Sequence, residues 1–343
     1  MPGPDPSPPG GAGPGPPREA AVDSIVDPVF DDIAAAARRI EPYVRRTPLL
    51  VAPELSSRLG AVAEFKCENL QAIGAFKARG ACNAVFALDD AHASRGVATH
   101  SSGNHAAALA RAARLRGIPA YIVMPEGAPR IKRAAVEGWG GRVQECAPTL
   151  AAREAAAAAL VARTGATLVH PYDDPWVIAG QGTAMLELAG QTAAPDAVLV
   201  PVGGGGLLAG TAIACRRLWP RTRVIGVEPA GADDAARSFT SGVLQGAGSP
   251  HTIADGLRGA LSARTLRIAR ASVDEIVTVS EDGIVAAMRL LFEALKVVVE
   301  PSGAVPVAAL LEGRVRGARI VVVLSGGNVD LDHLPWAVGA AAG

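Results

Sequence analysis

The chain has 343 residues, of which 49% are hydrophobic and 19% charged, a composition typical of a globular α/β protein and not of a disordered chain. Lysine plus arginine and aspartate plus glutamate each number 33, so the overall charge gives no sign of a nucleic acid or an anionic membrane as partner. Four cysteines without CxxC spacing favour reduced thiols in a cytoplasmic protein.

The first 20 residues include 8 prolines and 5 glycines and contain no apolar run. A segment of this composition cannot bury enough apolar surface to offset the entropy lost on ordering, so residues 1–20 are predicted to be a disordered tail. The tail lacks the cationic start and apolar core of a signal peptide, and no later segment is long and apolar enough to span a bilayer.

From about Val22 onwards, short runs of valine, isoleucine and leucine alternate with segments of helical length. This alternation predicts βαβ units around buried, mostly parallel sheets. The predicted strands are Val97–His100, Ile118–Met124, Arg142–Cys146, Ala166–Val169, Ala197–Val202, Arg223–Glu228 and Arg319–Leu324. The predicted helices are Ala106–Arg116, Pro129–Gly138, Thr149–Thr164, Leu207–Leu218, Glu281–Lys296 and Ala304–Glu312.

The predicted strands fall into two groups along the chain. The strands near residues 97, 118, 142 and 166 are expected to form a small inserted domain of residues 96–171. The remaining strands are expected to form a large domain from residues 21–95 and 172–343. A ligand-binding cleft is expected between the two domains, because small-molecule sites commonly lie at such boundaries.

Lys77 stands between a glycine-containing turn and the start of a helix. A lysine in this place can be a plain surface cation. It can also bind a carbonyl cofactor covalently, provided that its surroundings lower the pKa of the amine enough to supply the neutral form. Lys77 alone does not decide between the two.

Four consecutive glycines, Gly203 to Gly206, follow a predicted strand and open a predicted helix. Glycines let the backbone approach a phosphate closely, and the helix N-terminus supplies N–H donors. No Gly-Lys-Ser/Thr follows, which excludes a nucleotide P-loop. An NAD-dependent oxidoreductase is an alternative, since Gly204, Gly206 and Ala209 match GxGxxA and Glu228 lies where a ribose-binding acid would fall.

Two further polar loops follow predicted strands. The sequence Ser-Ser-Gly-Asn-His at 101–105 joins a strand to a helix, where its N–H and hydroxyl donors can hold a carboxylate or simply cap the helix. The sequence Ser-Gly-Gly-Asn at 325–328 follows the last strong strand, at the edge of a parallel sheet where ligands tend to bind.

Lys77, the SSGNH loop, the tetraglycine loop and the SGGN turn occur in this order on an α/β chain. Together with FKCEN at 65–69, IPAYIVMPEGAP at 118–129, VIAGQGT at 177–183 and ADG at 254–256, they resemble fold-type II pyridoxal-phosphate (PLP) enzymes of the serine racemase and serine/threonine dehydratase family. The resemblance extends from about Val26 to Leu331. It implies a tryptophan synthase beta-like α/β fold, with two open, twisted, mostly parallel sheets flanked by helices.

The resemblance implies that Lys77 holds PLP covalently and acts as a catalytic base, with Phe76 packed beside the cofactor ring. Asn104 would hydrogen-bond the phenolic oxygen of PLP, and Ser325 would face its pyridine nitrogen. Ser102 matches the second catalytic acid/base of the family, on the cofactor face opposite the lysine. The residues implied in phosphate binding are Gly203, Gly204, Gly205 and Gly206. The residues implied in shaping the substrate-carboxylate site are Ser101, Ser102, Asn104 and His105.

The stretch from Glu228 to Asp234 resembles the divalent-cation site of the same family. Glu228 and Asp234 would supply carboxylates and Ala232 a backbone carbonyl, an oxygen set suited to Mg²⁺ or Ca²⁺, with Mn²⁺ also acceptable. A solvated acidic helix start is the alternative.

The chain departs from the family pattern at Ile73 and Ala75, where serine or threonine is usual. Ala106-Ala107 and Glu145 replace residues near the nucleotide-effector site of animal serine racemases, so activation by ATP is not expected. No regulatory domain is expected after residue 343.

The predicted chemistry follows from the serine at 325, whose hydroxyl is not an anion and would not hold the pyridine nitrogen protonated. The primary prediction is a PLP-dependent dehydratase, or ammonia-lyase, that converts L-serine or L-threonine to a 2-oxo acid and ammonia. Serine racemization, alone or as a second activity, and hydroxyaspartate dehydration are the nearby alternatives. An NAD-dependent oxidoreductase and a catalytically silent PLP-binding protein are the remote ones. The expected partner is a small amino-acid substrate, and the resemblance implies a homodimer.

Overall fold

The computed structural model describes residues 27–101, 103–128 and 130–336. The predicted tail at residues 1–20 and the predicted acid/base Ser102 lie outside these ranges. Within them, no helix is both long and apolar enough to cross a bilayer.

Two sheets form the framework of the described chain. In chain order the strands are β1 Leu49–Val51, β2 Val62–Lys66, β3 Val97–His100, β4 Ala120–Pro125, β5 Arg142–Cys146, β6 Thr167–Leu168, β7 Ala197–Pro201, β8 Arg223–Pro229, β9 Glu275–Val279 and β10 Arg319–Val323. One sheet has six strands in the order β1-β2-β10-β7-β8-β9, and the other has four in the order β5-β4-β3-β6. Neighbouring strands are parallel except for β1, which pairs antiparallel with β2 at the edge of the larger sheet.

Helices connect successive strands, as parallel pairing requires. In chain order they are α1 Phe30–Ile40, α2 Ser56–Leu59, α3 Lys77–Phe86, α4 Asp90–Arg95, α5 Asn104–Arg116, α6 Arg130–Gly138, α7 Leu150–Thr164, α8 Pro175–Ala189, α9 Gly206–Leu218, α10 Asp234–Ser241, α11 Ala263–Ser272, α12 Glu281–Leu290 and α13 Pro301–Leu311.

The central strands of the larger sheet are buried on both faces, which explains their nearly continuous apolar sequence. Side chains alternate between the faces, so Leu199 packs in one apolar cluster with Val305 of α13. Its neighbours Val198 and Val200 pack in a second cluster with Leu208 of α9. The larger sheet therefore separates two apolar layers, and its strand ends are held between helices.

The smaller sheet is built from one continuous part of the chain. Its four strands lie between residues 97 and 168, and its apolar cluster includes Leu109 of α5 and Ile122 of β4. The limits given above for the two domains stay a prediction. What the sheets establish is that the segments just before residue 97 and just after residue 168 connect the two frameworks.

The observed elements match the predicted strands Val97–His100 and Arg142–Cys146 at both ends. The predicted helix Glu281–Lys296 is wrong in its last turns. The α-helix ends at Leu290, and residues 291–295 form a wider π-helical turn before Lys296, whose φ is 57°. A π turn accommodates one extra residue per turn, and the left-handed Lys296 then ends the helix.

A buried cluster of charged side chains anchors the first turn of α3. Arg79 Nε and Nη2 donate to the two carboxylate oxygens of Glu68 at 2.8 and 2.7 Å, and Nη2 also donates to Glu187 Oε2 at 3.0 Å. Lys66 Nζ donates to Glu187 Oε1 at 2.6 Å. Burial acts to raise the pKa of Glu68, but the Arg79 guanidinium, with smaller contributions from Thr47 and Lys66, holds that pKa below its usual value. The cluster joins β2, α3 and α8 and fixes α3 from its buried side.

Candidate active site

Lys77 is the first residue of α3, and its side chain is partly buried. Its Nζ donates to the carbonyl oxygen of Pro171 at 2.6 Å and lies 5.0 Å from the centroid of the Phe76 ring. Burial lowers the pKa of the Lys77 amine from 10.5 to about 8. About a tenth of this amine is therefore neutral at pH 7 and about half at pH 8, and the neutral form is the one that a nucleophile or a base requires.

A tight turn before α3 directs Lys77 towards the smaller sheet. Ile73 has a φ of 62° and Gly74 a φ of 72°, so two successive left-handed residues reverse the chain. After the turn, Phe76 N donates to the carbonyl oxygen of Ser325 at 3.0 Å, which ties the segment to the end of β10. The Ile73 side chain packs against the apolar cluster of the smaller sheet, and Ala75 is fully buried. Both departures from the family pattern thus contribute apolar packing.

The tetraglycine loop joins β7 to α9 and leaves no room for side chains. Gly205 has a φ of 84° and caps α9. A Cβ on Gly204 would overlap the ring of Tyr172, and one on Gly206 would lie 3.0 Å from the Tyr172 backbone. The first N–H groups of α9 have no partner within the helix and lie at the positive end of its dipole. The loop therefore fits a phosphate group.

The SSGNH loop places polar groups at the start of α5. Ser101 Oγ accepts a hydrogen bond from Gly103 N at 3.4 Å, and Asn104 is the first residue of the helix. His105 is buried, and its Nε2 donates to the carbonyl oxygen of Val169 at 3.2 Å. Burial lowers the pKa of His105 well below its usual value. His105 is thus a neutral side chain that joins α5 to the end of β6.

The Asn104 amide lies between two residues of the larger-sheet framework. Its Nδ2 donates to Glu300 Oε1 at 2.8 Å, and its Oδ1 accepts from Asn328 Nδ2 at 2.9 Å. Asn328 Nδ2 also donates to the carbonyl oxygen of Ile73 at 2.8 Å. Burial, followed by the charge of Asp255, raises the pKa of Glu300 to about 8.

Two histidines and a tyrosine line the connection after β6. The His170 ring lies edge-on to His100, with 5.5 Å between centroids, and edge-on to Tyr172 at 4.6 Å. His170 Nδ1 accepts a hydrogen bond from Asp173 N at 2.8 Å. Burial lowers the pKa of His170 to about 4, so its ring is neutral at physiological pH.

The predicted cofactor residues lie where the segments of the two frameworks meet. Lys77 contacts Pro171, and the next residue, Tyr172, packs on Gly204 of the tetraglycine loop. Ser325 is buried at the end of β10, and the following residue, Gly326, lies against the Asn104 amide. The site thus combines an amine of lowered pKa, a glycine loop at the start of a helix and an amide held by two hydrogen bonds.

Sequence reasoning missed three residues of this site. Asn328 belongs to the SGGN turn, but only Ser325 was assigned a role there. Glu300 precedes Pro-Ser-Gly at the start of α13, where a glutamate has the appearance of an ordinary helix start. Nothing in the sequence near Tyr172 indicates that its ring packs on the glycine loop.

The predicted metal residues lie at the end of β8 and the start of α10. Glu228 accepts hydrogen bonds from Ala235 N at 3.0 Å and Ala236 N at 2.9 Å, and burial raises its pKa to about 8. Both carboxylate oxygens of Asp234 are buried and accept no hydrogen bond from another residue in the described ranges. No group of three or more histidine, cysteine, aspartate or glutamate side chains in the described ranges could hold a metal. Two carboxylates with the Ala232 carbonyl and water are the set that would fit a hard cation.

Residues 40–326 match the family model described as "Pyridoxal-phosphate dependent enzyme". The beta-hydroxyaspartate dehydratase of Paracoccus denitrificans (strain Pd 1222) is 50% identical over 311 residues, which cover 90% of this chain and 99% of that protein. The serine racemase of Arabidopsis thaliana is 49% identical over 309 residues, covering 88% and 93%. The solved structure of maize serine racemase has a TM-score of 0.88 and 43% identity, covering 92% of this chain and 98% of that one.

Proposed function

Because the chain belongs to the family of pyridoxal-phosphate-dependent enzymes, we propose that it is a dehydratase of β-hydroxy amino acids with 3-hydroxyaspartate as its preferred substrate. The predicted fold-type II class and the prediction of a PLP-dependent enzyme of the lyase and racemase group are confirmed. The NAD-dependent alternative receives no support from these relatives.

The position of Lys77 carries the proposal, since its amine is partly buried, has a lowered pKa and lies next to the segment that packs on the glycine loop. The N–H groups from Gly203 to Gly206 would bind the PLP phosphate. PLP, when bound, withdraws electrons from the α-carbon of the substrate. The neutral Lys77 amine would then take the α-proton, and the uncharged Ser325 would leave the pyridine nitrogen without an anionic partner.

Arg153 favours a substrate with a second carboxylate. It lies on α7, and burial together with its charge lowers the pKa of His100. Its charge also acts on Tyr172, whose pKa burial raises. Arg153 Nε is buried and has no hydrogen-bond partner in the described part of the chain. A guanidinium with an unused donor suits a carboxylate, which hydroxyaspartate has at its β-carbon and which serine and threonine lack.

Dehydration of L-serine or L-threonine and racemization of serine stay predictions. Racemization needs a second acid/base on the opposite face of the cofactor, and its candidate, Ser102, lies outside the described residues. A relative named serine racemase at 49% identity supports keeping this activity as the second candidate.

A panel of hydroxy amino acids tests the proposal. Purified protein loaded with PLP is given 3-hydroxyaspartate, L-serine and L-threonine, and 2-oxo acid, ammonia and the chirality of the remaining substrate are measured. We expect oxaloacetate to form fastest. If no substrate yields a 2-oxo acid, the dehydratase proposal is wrong, and faster turnover of serine or threonine would restore the primary sequence prediction.

Arg153→Leu tests the choice of substrate. We expect kcat/KM for hydroxyaspartate to fall about 100-fold, as for loss of a charged hydrogen-bonding partner, with a much smaller change for serine. Arg163→Leu is the matched control on α7, because Arg163 Nη2 donates to Gln144 Oε1 at 2.9 Å on the exposed surface. Equal losses for both substrates would contradict a role in substrate choice.

We also propose that Glu228, Asp234 and the Ala232 carbonyl bind Mg²⁺, Ca²⁺ or Mn²⁺. The buried, unpartnered carboxylate of Asp234 supports this site. A homodimer is proposed on the family resemblance, and light scattering at twice the chain mass is the expected result.

A further inference from the structure

A chain of hydrogen bonds links both frameworks at the Asn104 amide. It runs from the Ile73 carbonyl through Asn328 and Asn104 to Glu300, with donor–acceptor distances of 2.8, 2.9 and 2.8 Å. Asn104 begins α5, whereas Glu300 precedes α13 and Asn328 follows β10. A hydrogen bond from Asn104 to the phenolic oxygen of PLP does not by itself explain why Asn104 also binds Glu300 and Asn328.

The Ile73 carbonyl fixes which atom donates and which accepts in each of these three hydrogen bonds. A carbonyl oxygen only accepts, so Asn328 must present its Nδ2 there. The second hydrogen of that Nδ2 goes to Asn104 Oδ1, which turns the Asn104 Nδ2 towards Glu300. An amide nitrogen carries two hydrogens, and Glu300 accepts one. One N–H of Asn104 therefore has a fixed direction and remains available.

The residues packed around these hydrogen bonds leave the side chains of Glu300 and Asn328 little freedom to move. Glu300 is 6% exposed, and its backbone N donates to the Gly326 carbonyl at 3.0 Å. A Cβ on Gly326 would overlap the Glu300 carboxyl group, and one on Gly74 would lie 2.6 Å from Asn328 Oδ1. Glycines of two motifs thus make the space in which the chain lies.

Glu300 can act without a charge. Burial and the Asp255 charge raise the pKa of its carboxyl group to about 8, although the Asn104 hydrogen bond and the Lys132 charge act in the opposite direction. Most of the carboxyl group is therefore protonated at pH 7, and a protonated carboxyl group still accepts a hydrogen bond. Glutamine offers the same acceptor in a side chain of the same length.

We propose that Glu300 is a positioning residue that, by holding one N–H of Asn104, aims the other at the phenolic oxygen of PLP. The inference rests on the proposed function, in that PLP must bind at Lys77. Without Glu300 the Asn104 amide is held only by the hydrogen bond from Asn328, so it can turn further about its last bond and its free N–H is no longer aimed at one point. The bound cofactor then loses a hydrogen bond to its phenolic oxygen, which belongs to the conjugated system that absorbs visible light.

The test compares Glu300→Ala and Glu300→Gln with a matched control in protein loaded with PLP. The control is Glu64→Gln. Glu64 is a second buried carboxyl group, also 6% exposed, and it pairs with Arg319 and Thr192 and not with the residues around Lys77. PLP affinity is measured by titration, and the visible spectrum of the bound cofactor is recorded from pH 6 to 10.

We expect Glu300→Ala to weaken PLP binding about tenfold, the effect of one hydrogen bond, and to shift the pH midpoint of the visible spectrum. Glu300→Gln should stay within about threefold of the parent and keep its midpoint, as should Glu64→Gln. A parental spectrum and affinity in Glu300→Ala overturn the proposal. Equal changes in Glu300→Ala and Glu64→Gln overturn it as well, since they indicate a structural effect only.

Asn328→Ala removes the hydrogen bond on the other side of Asn104. It replaces Glu300→Ala if that variant does not fold. It frees Asn104 Oδ1 and should shift the midpoint in the same way, and an unchanged spectrum contradicts the proposal. Failure of the proposed function is read separately, from the parent protein. A parent that takes up no PLP on Lys77, shown by borohydride reduction and peptide mapping, removes both proposals.

Discussion

The protonation of Lys77 in the cofactor-free protein offers the sharpest test of the site. Burial lowers its pKa from 10.5 to about 8. At pH 8 about half of the Lys77 amine would then be neutral, whereas a lysine with the ordinary pKa of about 10.4 would be about 0.4% neutral. The expected difference in neutral amine is therefore about 100-fold at this pH.

Competitive acetylation followed by peptide mapping measures this directly. Cofactor-free protein and a small lysine derivative are labelled together with trace acetic anhydride from pH 6 to 11. We expect the labelling of Lys77 to reach half of its plateau near pH 8, more than two pH units below the derivative. A labelling midpoint near pH 10 would refute the statement that the surroundings of Lys77 supply a neutral amine.

The lowered pKa of Lys77 also makes the free energy of unfolding depend on pH, in a direction that can be stated. The folded state disfavours the charged amine, so the unfolded chain binds more protons between pH 8 and 10.5. The penalty is fully present below pH 8 and is relieved as pH rises towards 10.5. In urea denaturation the cofactor-free parent should therefore gain stability across this window relative to Lys77→Met. A parent and variant with parallel pH profiles would contradict the shift.

Three further predictions concern other parts of the chain. Gly204→Ala should weaken PLP binding at least tenfold in spectroscopic titrations, because the new Cβ overlaps the Tyr172 ring, and unchanged binding would show that the loop is not the phosphate site. Arg79→Met should lower the free energy of unfolding in urea by about 3–5 kcal/mol by leaving buried carboxylates uncompensated, and a loss below 1 kcal/mol would argue against the ionic cluster. Mg²⁺ or Ca²⁺ should raise the Tm of the parent and of the control Asp233→Asn but not that of Asp234→Asn; equal shifts in all three proteins would place the cation elsewhere.

Elements with a strong local pattern could be predicted from the sequence. The apolar runs of β7 and β10 and the helices α9, α12 and α13 between them follow from periodicity, whereas α10 and α11 were not predicted. The order of Lys77 and the glycine loops was enough to indicate a PLP site. Strand β9, Glu275–Val279, was missed because it is a short strand at the edge of the sheet in which only Val279 is buried, so that no long apolar run marks it. The mostly apolar α8 shows no helical period in its sequence, since almost its entire surface is buried.

The contacts that complete the site depend on tertiary structure. Glu300 and Asn104 are separated by 196 positions, and each alone is an unremarkable residue at a helix start. The burial that changes the pKa values of Glu300 and Lys77 arises only when the two frameworks meet. Local patterns could identify the candidate cofactor-binding residues but not the distant residues that contact them.

The cluster of four buried charges that packs against α3 restricts which substitutions the sequence can accept. Replacing Lys66, Glu68, Arg79 or Glu187 singly strands an opposite charge in the interior, whereas replacing a matched pair by apolar residues of similar volume need not destabilise the fold. A mutational library should accordingly tolerate these positions in compensating pairs and reject them one at a time. Substitution at Glu68 or Arg79 would also release the helix turn that bears Lys77, so a pair that preserves stability can still change reactivity.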